Sequence, residues 1–242
     1  MTCASFNRNG DKNSHAAFDA YAPANVRQRV YAPGSVVINR GDPSTTIRLV
    51  KSGWIYSSVE LANGSRQIVD IFLRGDFIEP MALSGTSHVT LQAVDYATTA
   101  EFPYSAWNNG PPAKADRVEF FAAEFARMRA IRLERVVSLG RRDATRRTAH
   151  LLLEFAERLQ PGRPSFSVEY ECPLTQADLA DILGMTAIHI NRTLRELREM
   201  KFLIFKGGTV CIFDTRPVAD FAEFSTTYLK RGPLSTQADT PP

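Results

Sequence analysis

The sequence contains few of the residues that build metal and cofactor centres. Its 242 residues include three cysteines and four histidines. Cys3, Cys172 and Cys211 lie far apart and match no CxxC-type zinc or iron–sulfur spacing, so we predict no metal site. A redox role for Cys172 would require a lowered thiol pKa, and no basic residue beside it in the sequence would lower it.

Long apolar runs and catalytic motifs are also missing. No run reaches the roughly 18 apolar residues of a membrane-spanning helix, and the polar residues 1–20, predicted to be disordered, do not resemble a signal peptide. We therefore expect a cytoplasmic protein with no membrane partner. Walker, GxSxG and HExxH motifs are absent, which argues against an enzyme and leaves no catalytic residue to name. The net charge of +3 permits nucleic-acid binding without requiring it.

The strongest pattern in the chain lies in residues 174–203. Thr175 and Thr186 each precede an apolar run of helical spacing and suit a helix N-cap, and Gly184 between the runs accepts the positive φ of a tight turn. Two helices joined in this way predict a helix-turn-helix motif, whose second helix enters the DNA major groove. In that helix Ile190, Leu194 and Leu197 form the inner face, and the outer face carries His189, Asn191, Arg192 and Arg195.

Two short apolar runs follow this motif. Residues 202–205 and 209–213 are joined by Lys206, Gly207 and Gly208, which predicts a β-hairpin. A helix-turn-helix followed by a hairpin is a winged helix, with Lys206 at the tip of the wing facing a phosphate. We therefore expect double-stranded DNA as the partner of residues 141–230, which would end in a helix over 218–228 before a flexible tail at 231–242.

The part of the chain at 21–110 has a different pattern, typical of an all-β sandwich or barrel. Turn residues, including Asn63-Gly64, separate short strand-like runs. The predicted strands are 26–31, 35–38, 47–51, 54–61, 67–73, 89–94 and 98–102. Together with the helical C-terminal part, they predict an α+β protein.

Residues 111–140 connect the two parts and predict one long helix. An apolar stripe recurs along it, and either this stripe packs on the β-domain or it joins two copies of the chain. We favour a dimer interface, because helix-turn-helix proteins commonly bind two half-sites. Gly140 is expected to end the helix and Asp143 to cap the next one, which makes 139–143 a hinge. The stripe consists of Val118, Phe121, Phe125, Met128 and Val136.

Taken together, the run from about Val26 to Ile212 resembles the Crp/Fnr family of bacterial transcription regulators. YAPGSVVINRGDPSTTIRLVKSGWIYSS and NGSRQIVDIFLRGDFIEP are similar to the family's cyclic-nucleotide-binding-like β-roll, of the jelly-roll type. LTQADLADILGMTAIHINRTLRELR is similar to its DNA-binding motif. The resemblance implies a homodimer on a palindromic operator, a β-roll that senses an effector or is vestigial, and contact with RNA polymerase if the protein activates. The alternative it leaves open is a cyclic-nucleotide or haem sensor that binds DNA only when its effector is bound.

The effector positions depart from the family pattern. Where cyclic-AMP-binding members carry Gly-Glu and Arg-Ser/Thr pairs, this chain has Glu79-Pro80 and Ser87-His88. Without the arginine the cyclic phosphate loses its bidentate partner, so we expect no cyclic AMP binding of the usual kind. The iron–sulfur sensors of the family need several cysteines near the N-terminus, where this chain has one. Haem remains open through the four histidines, although we expect His88 to be packed or solvated. No cofactor is predicted.

The resemblance also places the base-contacting positions. Two of the three main positions, often Arg and Glu in the family, are Ala187 and Ile188 here, whereas the third remains Arg192. Arginine suits guanine, and the two apolar side chains suit a thymine methyl. His189 and Asn191 are expected to contact further bases. The predicted phosphate contacts are Thr175, Gln176, Thr186, Arg195 and Lys206.

Overall fold

A computed structural model describes residues 26–78, 85–108, 114–162 and 166–230. It confirms the predicted α+β architecture of an N-terminal β-roll, a long central helix and a C-terminal winged helix. The predictions for residues 1–20, for Glu79 and Pro80 and for 231–242 lie outside the described residues.

The β-roll consists of two four-stranded antiparallel sheets that enclose a hydrophobic core. One sheet has the order β1-β8-β3-β6 and the other β2-β7-β4-β5. Ile47 and Leu49 of one sheet and Ile55 and Phe72 of the other are almost fully buried. The two-residue β6 is missing from the prediction because so short a strand leaves no alternation to detect. The strands are β1 (Arg27–Tyr31), β2 (Val36–Ile38), β3 (Thr46–Ser52), β4 (Ile55–Glu60), β5 (Arg66–Phe72), β6 (Phe77–Ile78), β7 (Thr90–Ala93) and β8 (Ala97–Pro103).

Three helices follow: α1 (Tyr104–Asn108), the central helix α2 (Lys114–Arg141) and α3 (Ala144–Leu159). The prediction that Gly140 ends the central helix is wrong, because the helix continues through it to Arg141. A helical glycine costs only about 1 kcal/mol, which the packing of a long helix can offset. Asp143 caps α3 as predicted, since its carboxylate accepts a hydrogen bond from the Arg146 N–H at 2.8 Å.

The predicted apolar stripe of α2 divides between two environments. Phe121 and Met128 are buried on the β-roll, which is the packing alternative to a dimer interface. Val118, Phe125 and Val136 are 58%, 39% and 65% exposed. The side of α2 that covers the β-roll includes only part of the stripe. The five residues therefore do not form one continuous exposed face.

The C-terminal part contains α4 (Gln176–Leu183), α5 (Ala187–Glu199) and a three-stranded antiparallel sheet of order β10-β11-β9. Its strands are β9 (Val168–Glu171), β10 (Leu203–Lys206) and β11 (Thr209–Ile212). The hairpin β10–β11 was predicted, and β9 was not. The prediction of one terminal helix over 218–228 is wrong: α6 (Thr215–Ala222) stops at Glu223, whose left-handed φ of 53° breaks the helix, and a 3-10 helix (Thr226–Leu229) follows.

The β-roll and the C-terminal part share one hydrophobic core. Trp54 and Tyr56 of the β-roll belong to the same buried cluster as the interior of the winged helix. The rings of Trp54 and Phe155 meet edge to face, with 5.1 Å between their centroids. The two parts are therefore packed together and do not merely follow one another along the chain.

Buried ion pairs join the same parts. The guanidinium of Arg158 on α3 lies 2.7 Å from Asp76 of the β-roll and 2.9 Å from Glu154. Asp76 also pairs with Arg127 of the central helix, and Glu154 with Arg135 at 3.1 Å. Because an isolated buried charge is costly, each arginine in this network depends on its carboxylate.

Candidate nucleic-acid interface

The first helix of the helix-turn-helix begins in a capping box. The Thr175 hydroxyl accepts from the Asp178 N–H at 3.1 Å, and the Asp178 carboxylate accepts from the Thr175 N–H at 3.0 Å. The helix ends at Gly184 with φ 60° and ψ 45°, the left-handed conformation predicted for this turn. Cap and turn together fix how the next helix leaves α4.

Helix α5 is amphipathic in the predicted sense. Thr186 caps it by accepting a hydrogen bond from the His189 N–H at 3.2 Å. The predicted inner residues Ile190, Leu194 and Leu197 are buried. The opposite face is exposed, and its Ile188 is 85% accessible, the highest value among the exposed large apolar side chains of the described residues.

The structure brings the predicted base-contacting residues together on that exposed face. Ala187, Ile188, Asn191 and Arg192 are exposed, and His189 is half-buried. The fold leaves most of the Ile188 side chain exposed. Ile188 is therefore available to an apolar group such as a thymine methyl.

Hydrogen bonds and ion pairs order the polar side chains of this face. The Asn191 amide donates to the Gln176 side-chain carbonyl of α4 at 3.2 Å. A guanidinium nitrogen of Arg192 lies 3.3 Å from His189 Nε2, and its Nε lies 3.6 Å from Glu196. Glu196 was absent from the predictions, although its spacing of four residues from Arg192 on one helix is a signal for such a pair.

The predicted phosphate contacts lie on α4, α5 and the wing. The hydroxyls of Thr175 and Thr186 are engaged in the caps. A phosphate would therefore meet the exposed first turn of each helix rather than a free hydroxyl. Arg195 is exposed on α5 and lies 3.8 Å from Glu199. Lys206 is exposed at the end of β10, before Gly207 and Gly208 turn the wing with positive φ.

The described part of the predicted effector pocket does not suit a cyclic phosphate. Ser87 is buried, and its hydroxyl donates to the Val89 carbonyl at 2.7 Å within its own turn. The neighbouring His88 is exposed. Residues 85–90 contain no arginine or lysine, so this segment itself supplies no permanent cation for a phosphate.

Cys172 lies at the entry to the winged helix and is fully buried. Burial raises the pKa of its thiol to about 12, so the thiol stays protonated at neutral pH. A protonated, inaccessible thiol is unsuited to redox chemistry. Among the described residues no group of three or more His, Cys, Asp or Glu side chains could hold a metal ion. Of the helices that the structure describes, none has the length and hydrophobicity to cross a membrane.

Two domain families match the chain in the places that the fold indicates. Residues 28–109 match the cyclic nucleotide-binding domain, and residues 146–217 match the Crp-like helix-turn-helix domain. The first match covers the β-roll, and the second covers the motif described above and its wing.

Relatives that resemble the chain over most of its length are transcription regulators. The nitrogen fixation regulation protein FixK of Bradyrhizobium diazoefficiens is 29% identical over 196 residues, which cover 79% of this chain and 80% of FixK. The cAMP-activated global transcriptional regulator CRP of Escherichia coli O157:H7 is 23% identical over 77% of this chain and 89% of CRP. The solved structure of FixK2 from Bradyrhizobium japonicum superposes with a TM-score of 0.72 at 20% identity, over 81% of this chain and 97% of that one. The chain belongs to the Crp/Fnr family of transcription regulators.

Proposed function

We propose that this regulator binds a palindromic operator as a homodimer, with α5 of each copy in a major groove. The exposed outer face of α5 is the main support for this proposal, because it presents side chains suited to base contacts. The helix itself is well capped, and its inner face is buried. Such a helix presents its side chains to the groove in a fixed arrangement. A mobile helix would have to become ordered on binding, and the entropy lost would reduce the affinity.

Exposed apolar residues of the central helix support the dimer. Val118, Phe125 and Val136 are joined on the solvent side by Leu133 and Val137, which are also exposed. Exposed apolar residues clustered along one helix are typical of an interaction site, and a second copy of the same helix provides a self-complementary partner. Two copies would place two recognition helices on half-sites about one DNA turn, roughly 34 Å, apart.

The operator should differ from that of relatives with Arg and Glu at the first two reading positions. Arg192 suits guanine through two hydrogen bonds, and Asn191 suits adenine. Ala187 and Ile188 favour thymine methyl groups, while Arg195 and Lys206 contact phosphates. Because operator DNA lies in the bacterial cytoplasm, the protein acts there, and it contacts RNA polymerase if it activates.

A second candidate is a regulator that requires an effector in the β-roll. The match of residues 28–109 to a cyclic nucleotide-binding domain favours a ligand, and the lack of a cation at 85–90 disfavours cyclic AMP held in the usual way. Calorimetry with cyclic AMP should show no binding at micromolar concentrations. Micromolar binding would contradict our assignment of the pocket.

The test of the proposed function is selection of genomic fragments by the purified full-length protein, followed by footprinting. We expect a protected site with two inverted half-sites and an affinity at least a thousandfold above random DNA. Equal affinity for all fragments would refute sequence-specific binding, and a single unpaired half-site would refute the dimer. Repeating the selection with metabolite extract separates the two candidates, because only an effector-dependent regulator gains affinity.

A further inference from the structure

One arginine of the β-roll holds the first helix of the DNA-binding motif. Arg66 begins β5, and its Nε donates to Asp181 and its Nη2 to Asp178, both at 2.7 Å. Its Nη1 donates to the Tyr56 hydroxyl at 2.6 Å, and the guanidinium lies 5.1 Å from the centre of the Tyr56 ring. We call the set Arg66, Asp178 and Asp181 the Arg66 clamp.

The geometry of the Arg66 clamp separates it from an ordinary surface ion pair. Exposed pairs contribute little, because two flexible side chains must be ordered in water. Here one rigid guanidinium bridges two carboxylates on successive turns of α4 and is ordered further by Tyr56. All three members of the clamp are partly buried. The planar guanidinium holds its N–H donors in fixed positions, so little conformational entropy is lost for each hydrogen bond that forms.

Neighbouring contacts hold the same helix to the same strand. The Gln67 side-chain amide donates to the Ile182 carbonyl near the end of α4 at 3.3 Å. Ile68 and Leu179 are buried in the core that the β-roll and the winged helix share. Helix α4 is therefore fixed along its length to β5 by polar and apolar contacts together.

The Arg66 clamp leaves the DNA-binding surface open. With the clamp formed, Thr175 is exposed at the start of α4, and Ile188 and Arg192 are exposed on α5. Asp178 is also a member of the capping box, so Arg66 bonds to the residue that organises the first turn of α4. In addition, Arg66 offsets one of the two negative charges of Asp178 and Asp181, which reduces their repulsion of a nearby polyanion.

We propose that Arg66 is a positioning residue for DNA binding, which acts through Asp178 and Asp181 to fix the orientation of the helix-turn-helix on the β-roll. This inference rests on the proposed function. In a homodimer a fixed orientation in each copy sets the distance between the two recognition helices, and hence the half-site spacing that is tolerated. Strand β5 also contacts the central helix, since Asp70 lies 2.9 Å from Arg132. The β-roll thus contacts the first helix of the DNA-binding motif directly, in addition to the covalent connection through the central helix and the 139–143 segment.

The test compares Arg66→Gln with Arg40→Gln, a matched loss of one charge at an exposed arginine of the same domain. Affinity is measured for the selected operator, for random DNA and for operators whose spacer is one base pair longer or shorter. We expect Arg66→Gln to weaken operator binding about tenfold and to reduce the penalty for a changed spacer. Arg40→Gln should change all affinities little and alike. Asp181→Asn should reproduce part of the Arg66→Gln effect, and the double variant should be no weaker than Arg66→Gln alone.

A second readout needs no DNA. In Arg66→Gln, amide hydrogen exchange over residues 176–183 should become faster, while exchange in the β8 strand stays unchanged. The proposal is overturned if Arg66→Gln matches Arg40→Gln in affinity and spacer preference, or if it binds the operator more tightly, as an inhibitory contact would. Failure of the proposed function is distinct, because the wild-type protein itself would then select no operator, whereas failure of this inference leaves wild-type selection intact.

Discussion

The Thr145 hydroxyl donates a hydrogen bond to Glu196 Oε2 at 2.9 Å. Thr145 lies in the first turn of α3, just after the 139–143 segment, and Glu196 lies on the recognition helix one turn beyond Arg192. The other carboxylate oxygen of Glu196 lies 3.6 Å from Arg192 Nε. The start of α3 thus restricts the position of the Glu196 side chain. Through Glu196 it also restricts Arg192, the proposed base-contacting arginine.

This relationship predicts that Glu196→Ala lowers base discrimination. Without the carboxylate Arg192 samples more rotamers, so discrimination at its base pair should fall about three- to tenfold, part of the roughly 1–3 kcal/mol that a bidentate contact provides. Affinity for random DNA should rise, because a negative charge on the proposed DNA-binding helix is lost. Binding assays on operators substituted at single base pairs measure both effects.

The matched control is Glu199→Ala. Glu199 is also four residues from an arginine, Arg195, at 3.8 Å on the same helix, and no hydrogen bond from it to α3 is observed among the described residues. Glu199→Ala should raise the affinity for random DNA about as much as Glu196→Ala does, and it should leave base discrimination unchanged. If both variants alter discrimination equally, the Thr145 contact has no positioning role.

Arg192→Ala and Lys206→Ala should separate base reading from phosphate contact. Arg192→Ala should relax specificity at one base pair at a cost of about 1–3 kcal/mol. Lys206→Ala should weaken binding to all sequences alike and reduce the salt dependence by about one phosphate contact. Equal losses on operator and random DNA for Arg192→Ala would show that it contacts a phosphate.

Val136→Asp should disrupt the proposed dimer. Val136 is 65% exposed on the central helix, and a carboxylate buried there in each copy would be an unpaired charge. Sedimentation should show a monomer at micromolar concentration, with operator affinity reduced at least tenfold. The control is Val30→Asp, which changes a 71% exposed valine of β1 and should leave the dimer intact. A dimer that withstands Val136→Asp would place the interface elsewhere.

The burial of His150 predicts that the protein loses stability in mild acid. Burial and the nearby Arg142 lower its pKa from 6.5 to about 4, so the folded protein holds it neutral. A lowered histidine pKa contributes stability that is complete above pH 6.5 and is lost as the pH falls toward 4. Between pH 7 and pH 5 this loss should reach about 2 kcal/mol in the free energy of unfolding. The charged or polar groups that face it are Glu134, Arg135, Arg142, Glu154 and Tyr228.

Urea unfolding at the two pH values measures this effect. His150→Gln should reduce the difference in unfolding free energy between pH 7 and pH 5, because the neutral side chain cannot gain a proton. His189→Gln makes the same substitution at a half-buried histidine of α5. It should leave the difference in unfolding free energy between pH 7 and pH 5 as in the wild type. An unchanged difference in His150→Gln would assign the acid sensitivity to other groups.

Several local features could be predicted because they depend on neighbouring residues. Thr175, Thr186 and Asp143 act as caps within three residues, and Gly184 turns the chain at its own φ. The predicted helix end at Gly140 is wrong by one residue, because the central helix ends at Arg141. Gly140 is exposed there, and the helical conformation costs a glycine only about 1 kcal/mol.

The helix-turn-helix, the wing, the β-rich half and the inward and outward faces of α5 could be predicted from the sequence, since each follows from periodicity and local bonding. Tertiary packing was needed to show which side of the central helix is covered, that β9 completes the wing sheet and that Arg66 contacts α4. The two sides of the Arg66 clamp are more than 110 residues apart in the chain. No local pattern links such distant residues, because their contact forms only when the β-roll and the winged helix bury a common core.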